Sequence, residues 1–497
     1  MGVVLALFAL DLPTKGQGAS TRTPRAMTAV RTAHSFDGDL RSFPYVRPVK
    51  KERPEREPPP FMPRLYQPPG QTSAATSAPS GSTVSTPAIN APAPAPGLTF
   101  DGLDFANWGA GHPPDPNGDV GPTYYIQVVN TSIGVFEKAT GVRVAAFTFD
   151  TFMSQGQFGN LCDTDNFGDP VVLYDSFEDR WIITDFAFKL DGHRNVINPP
   201  GAFQCFAVSK TGDPVNGGWN YYSINTTGGL GDYPKFGVWR DGLYMSANMF
   251  DYAASGSFQN ARAYAFNKAQ MYAGASTVQV IQFDAPSADF TLLPSDARLQ
   301  LGTPPQGAPN YFISTWEYLN ALTVYKFHVD WDHISLSTFT GPDITSTGSS
   351  WPNQIVPNAA TPANSLDTLG IRAMARNQYT NISGTESLWT THTVRRATNG
   401  FTTPRWYQAN VTGGTVAANT LQTATWDPDG ANMTYRYVPS LAIDRAGDMA
   451  MGYTTSNSTT NPGIMYAGRL TTDPVNTFSQ TEQLLFQGHG TSISVSI

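Results

Sequence analysis

Oxygen-bearing side chains fall at alternate positions in Asp115-Pro116-Asn117-Gly118-Asp119. Ligands at positions 1, 3 and 5 begin a calcium loop, where the turn aims alternate side chains at one cation. The rest of that loop is missing, since position 6 is Val120 and position 12 is Ile126. Ca²⁺ is thus the one cofactor the chain suggests, with Asp115, Asn117 and Asp119 as its ligands. An Asx-type turn, in which Asp and Asn bond their own backbone, explains the same residues. Asp163, Asp165 and Asp169 form a second acidic cluster open to the same two readings.

A further pattern is a recurrence. Gly118-Asp119, Gly168-Asp169 and Gly231-Asp232 each introduce an apolar stretch, and Leu366-Asp367 is similar. If those stretches are the innermost strands of a radial repeat, Asp119, Asp169, Asp232 and Asp367 meet at one mouth of a central channel. Carboxylates so placed could act as the catalytic pair of a glycoside hydrolase, which needs two of them ~5–10 Å apart. Recurrence at equivalent positions is equally what a fold requirement produces. Ser440 to Asp448 resembles the Ser-x-Asp-x-Gly turn of sialidase-type propellers, a structural turn. A sialidase also needs arginines gripping a carboxylate; Arg372, Arg376 and Arg436 are available. The chain holds no HExxH, GxSxG or Walker loop.

The two cysteines, Cys162 and Cys205, lie in no CxxC. They could form one disulfide in an oxidising compartment, worth about 4 kcal/mol by the chain-entropy model.

The elements that would position these residues are strands. Forty-five Gly, 39 Pro and only 14% charged residues disfavour long solvent-facing helices, and 12% aromatics favour sheet. Val3 to Leu10 followed by Gly16 to Ala19 reads as a signal peptide over residues 1–19. Residues 20–97 read as a disordered tether, first basic and then Pro/Ser/Thr/Ala-rich, with too little apolar surface to offset its ordering entropy. Residues 1–66 carry a net charge of +5 and the remainder −13. The acidic globular part lacks the footprint of a nucleic-acid binder, and no apolar run reaches the ~18–20 residues of a membrane span.

From Leu98 to Ile497, short apolar-aromatic runs alternate with Gly/Asp/Asn/Pro turns. Comparable units start near 119, 169, 232, 296, 367 and 439, a spacing suited to four-stranded blades. The expected fold is all-β: a β-propeller of six or seven blades, with tandem β-sandwiches as the alternative.

The run Pro113 to Pro122 (PPDPNGDVGP) resembles the opening signature of a largely uncharacterised family of secreted bacterial β-propeller proteins. GDPVVLYD at 168–175, DYPKFGVW at 232–239, GAPNYF at 307–312 and FTGP at 339–342 are similar to that family's blocks, in order. The resemblance implies a propeller and export, and almost no chemistry. It also leaves open whether a last blade is missing.

The function expected is that of a secreted or cell-surface, non-enzymatic propeller that binds or scaffolds. The alternative is a carbohydrate-active hydrolase using carboxylates at the channel mouth. Expected partners are an extracellular glycan or protein, with self-association open.

Overall fold

The computed structural model describes residues 23–49, 51, 92–110, 113–286, 289–316, 321–347, 355–357, 365–395, 401–426, 428, 434–457 and 459–489. The signal-peptide reading of residues 1–19 lies outside them.

Strand β1 (Arg25–Phe36) comes first, and six four-stranded antiparallel meanders follow. Blade 1 holds β2 (Asn117–Val120), β3 (Tyr124–Val129), β4 (Ser132–Glu137) and β5 (Arg143–Thr148). Blade 2 holds β6 (Asn166–Asp175), β7 (Arg180–Ala187), β8 (Phe203–Ser209) and β9 (Trp219–Asn225). In blade 3 come β10 (Leu230–Val238), β11 (Leu243–Phe250), β12 (Phe258–Phe266) and β13 (Thr277–Asp284). Blade 4 is β14 (Leu293–Asp296), β15 (Asn310–Trp316), β16 (Ala321–His328) and β17 (Thr338–Ser346). A two-stranded ribbon, β18 (Ile355–Pro357) with β19 (Ser365–Asp367), precedes blade 5. Blade 5 contains β20 (Met374–Ile382), β21 (Thr385–Arg395), β22 (Thr402–Asn410) and β23 (Gln422–Thr425). Blade 6 contains β24 (Tyr435–Ile443), β25 (Met449–Ser456), β26 (Gly463–Arg469) and β27 (Gln483–Gln487).

The first strand of each blade touches the first strand of the next, from β2 through β6, β10, β14 and β20 to β24. That order of inner strands, with each meander running outward from it, is a β-propeller. The inner strands approach closely: a Cβ on Gly237 would come within 2.3 Å of the Ser295 carbonyl oxygen. Aromatic and aliphatic side chains fill the spaces between blades. Trp239, Tyr311, Tyr325 and Tyr379 are fully buried in one such layer.

Near the head of most inner strands stands a non-glycine residue in the left-handed region: Asp169 (φ 47), Tyr233 (φ 53), Thr291 (φ 54) and Val438 (φ 48). Asp115 (φ 42) is its counterpart before β2. Asp169, Tyr233 and Val438 lie where the pairing register shifts within β6, β10 and β24.

The tether reading of residues 20–97 is corrected where the structure describes them, at 23–49, 51 and 92–97; the remainder of that stretch lies outside the described residues. Strand β1 pairs antiparallel with β13 on one edge and with β9 on the other, fusing blades 2 and 3 into one nine-stranded sheet. Its sequence, RAMTAVRTAHSF, is poor in large apolar groups. It is held instead by two hydrogen-bonded edges, with Ala29 buried and Met27 packed on the same core. In return it covers the exposed edges of two blades. Residues 92–110 are also ordered. Ala93 N donates to Thr481 O (3.1 Å) in blade 6, and Ala110 N donates to Asn130 O (3.1 Å) in blade 1. This stretch therefore links the last blade to the first.

Candidate functional site

The carboxylate of Asp119 is built into the inner wall. Its Oδ1 accepts from Val120 N (2.7 Å) and its Oδ2 from Tyr174 N (2.8 Å) on β6. Arg298, just beyond β14, reaches the same Oδ2 at 2.6 Å, and Arg376 of β20 reaches it at 3.0 Å. Arg376 also holds Asp296 (2.9 Å), with Arg298 Nε at 3.5 Å from it. Two carboxylates and two guanidiniums from blades 1, 4 and 5 thus form one ion cluster across the channel. Burial pushes the Asp119 carboxyl up, but Arg376 and Arg298 outweigh it and hold it below the ordinary carboxylate range. Burial by itself would lower Arg376, yet Asp119 and Asp296 raise it. Such a cluster is suited to locking blades together and poorly suited to donating a proton.

The other recurrent aspartates do not join it. Asp169 Oδ2 accepts from Tyr233 N (3.0 Å) of the next blade, and Asp232 Oδ1 accepts from the same N–H (2.9 Å). These bonds lie at the entrance end of the inner strands, five residues ahead of the level where Asp119 meets Tyr174. The expected single ring is therefore two tiers. The kinks after Gly168 and Asp232 put the same Gly-Asp dipeptide at different heights. Asp367 belongs to neither tier, since its strand β19 lies in the separate ribbon. Blade 5 begins at Met374 instead.

The 1-3-5 spacing of Asp115, Asn117 and Asp119 is used otherwise than in a calcium loop. Asp115 Oδ2 accepts from Asn130 Nδ2 (2.8 Å), and Asn117 Oδ1 accepts from Val172 N (3.0 Å). Asn117 and Asp119 share one strand face, which is directed at the next blade's backbone. In the second cluster, Asp163 accepts from Phe158 N and Gly159 N (both 2.8 Å), while Asp165 meets Lys189 at 3.2 Å. Among the described residues, no group of three or more His, Cys, Asp or Glu side chains is placed to hold a metal ion.

Cys162 and Cys205 are bonded, with Cα atoms 5.8 Å apart, and tie the loop before β6 to β8. The three arginines do not converge either. Arg376 is in the ion cluster, and Arg436 pairs with Glu482 at 2.7 Å. Arg372 lies over the rings of Tyr233 and Phe290. The Ser440–Asp448 motif is a turn between β24 and β25, where Asp444 Oδ1 accepts from Ala446 N (2.8 Å) and Asp448 N (3.0 Å).

One group escaped the sequence reading. Asp185 of β7 is fully buried, with Oδ1 accepting from Gly168 N (2.9 Å) and Oδ2 unpartnered. Burial pushes its carboxyl well above the usual range. Lys51 opposes that shift, while Asp150 and Asp169 add to it. A lone Asp inside ITDF carries no signal of this kind, because its burial depends on which blade covers it. A cavity of about 300 Å³ lies on the outer rim, between β1 and blade 2, lined in part by Val30, Arg31, Phe158 and Phe203.

Fold and site define an all-β propeller whose channel is crossed by an ion cluster. No family model matches the chain, and no curated protein does. Solved structures similar to it include an endo-arabinase from Bacteroides thetaiotaomicron, at 14% identity and a TM-score of 0.27, covering 64% of this chain and 97% of that one. Others are an α-L-arabinofuranosidase from Lactobacillus brevis (10%, TM-score 0.29, 75% and 89%) and Drosophila Semaphorin 1b (9%, TM-score 0.28, 75% and 77%). Likeness at this level carries no argument about activity.

Proposed function

We propose that this chain is an exported, non-enzymatic β-propeller that binds a ligand at, or scaffolds, the cell surface. The observation that carries the reading is the ion cluster. The channel position where a glycosidase would need an accessible acid holds Asp119 and Asp296, each already engaged by Arg298 and Arg376. Neither is an unmatched carboxylate, and Asp169 and Asp232 are tied to the backbone at Tyr233.

A carbohydrate-active hydrolase is the second reading, and Asp185 favours it: a carboxyl with a strongly raised pKa is what general acid catalysis asks for. Its complete burial stands against it, because a glycosidic oxygen must come within hydrogen-bond reach of the acid. The test is to incubate the full chain with neutral and acidic polysaccharides and follow reducing-end release. Binding without release supports the module. Release that disappears in Asp185→Asn supports the hydrolase.

A further inference from the structure

At the entrance end of the inner strands, one arginine differs from those in the channel. Arg298, Arg376 and Arg436 are all ion-paired. Arg372, in the turn before β20, forms no ion pair with a described carboxylate, and its Nε is buried without a hydrogen-bond partner. Its guanidinium carbon lies 4.6 Å from the centroid of the Tyr233 ring and 5.0 Å from that of Phe290. Lys235 Nζ sits 3.4 Å from the same Tyr233 centroid and donates to Pro234 O (3.2 Å). Two cations thus share one aromatic ring.

Stacking fixes the plane of a guanidinium and leaves its in-plane N–H groups directed outward, the geometry that receives a carboxylate through two parallel bonds. Arg372 and Lys235 are half-buried, so both stay within reach of a ligand, and an incoming oxyanion could satisfy the buried Nε–H of Arg372. The surroundings restrict which anion fits. The carboxylates of Asp169 and Asp232 both contact Tyr233 N. Carboxylates accept hydrogen bonds from hydroxyl groups, so a carboxylate-bearing ligand that also carries hydroxyls offsets their charge better than one that has none.

We propose that the channel mouth around Tyr233 is a binding site for a carboxylate-bearing sugar, with Arg372 as the carboxylate fork and Lys235 as the second cation. The assignment rests on the binding-module reading and names its ligand class.

The test is titration of the full chain with a galacturonate oligomer, a neutral galactan oligomer and a polyglutamate peptide. The galacturonate oligomer should bind most tightly and weaken as salt is raised. Arg372→Gln should weaken it by roughly tenfold or more. Arg372→Lys should fall between, and Lys235→Gln should also weaken it, all with unchanged melting temperatures. The proposal is overturned if galacturonate does not bind, if it binds Arg372→Gln as well as the parent, or if polyglutamate binds as tightly. Binding of neutral oligomers, indifferent to both cations, removes this site and leaves the module. Cleavage of a bound oligomer, with binding still dependent on Arg372, leaves this site and removes the non-enzymatic reading.

Discussion

Asp119→Asn is the most direct perturbation of the channel. The amide keeps the size and, with its oxygen toward β6, the acceptor for Tyr174 N; its Nδ2 then replaces the acceptor of Val120 N, so the change removes the charge and one local hydrogen bond at a nearly buried position. It leaves Arg298 and Arg376 facing each other across an uncharged group. Removing one partner of a buried ion pair typically costs about 3–5 kcal/mol. The arginine side chains keep 12% and 23% exposure, so water recovers part of that cost, and about 3 kcal/mol is the expected loss. Urea unfolding at neutral pH, at constant m-value, measures it. The pH dependence supplies a second check. The folded pKa of Asp119 lies below its ordinary 3.8, so its stabilisation is complete above that value and is lost as pH falls through the folded one. Parent and variant should therefore converge on acidification. A loss under about 1 kcal/mol at pH 7, no more than an ordinary hydrogen bond is worth, or a gap that persists in acid, would refute the locking role.

Other outcomes are as specific. A chain starting at Leu98 lacks β1 and exposes the edges of β9 and β13; light scattering should show aggregation, and its absence would make β1 dispensable. Replacing Cys162 and Cys205 together by Ser should cost up to about 4 kcal/mol in denaturant unfolding, given the 43-residue separation. His392 is buried, which with the nearby Arg405 lowers its pKa to about 3; its Nδ1 donates to Gly370 O (3.2 Å) and its Nε2 accepts from Tyr407 Oη (2.8 Å). It should stay neutral by NMR down to about pH 4, and the stability it contributes should decline as pH drops below the ordinary 6.5.

The sequence shows the repeat because each blade begins with a turn-forming residue and an apolar strand, both local signals. Five of the six blade starts lie close to positions legible in the chain. The fifth does not: Leu366-Asp367 imitates the Gly-Asp cue, while the real inner strand opens inside IRAMAR, next to Arg376. Asp119 was legible as a charged group on the inner strand. Its fate was not, since Arg298 and Arg376 stand 179 and 257 positions away and nothing local announces them. The same holds for β1. Composition describes what a segment can bury by itself, and this strand is stabilised by edges that others present to it. Arg372 stood among three arginines of equal promise, and only the partners of the other two set it apart.

Strand β1 also determines how the molecule carries load. It pairs antiparallel with β13 over Arg25 to Val30 and with β9 at Val30, Arg31, Ser35 and Phe36, so its first half is held by blade 3 and its second half by blade 2. Tension applied to the chain ahead of Arg25 pulls along the strand axis, so the bonds to β13 are loaded in shear first and those to β9 follow, and neither set is peeled open from a free end. The force enters at the outermost strands of blade 3 and then blade 2, on the opposite edge of each blade from its inner strand. A propeller held by its N-terminal segment is thereby loaded at its rim, away from the inner strands that line the channel.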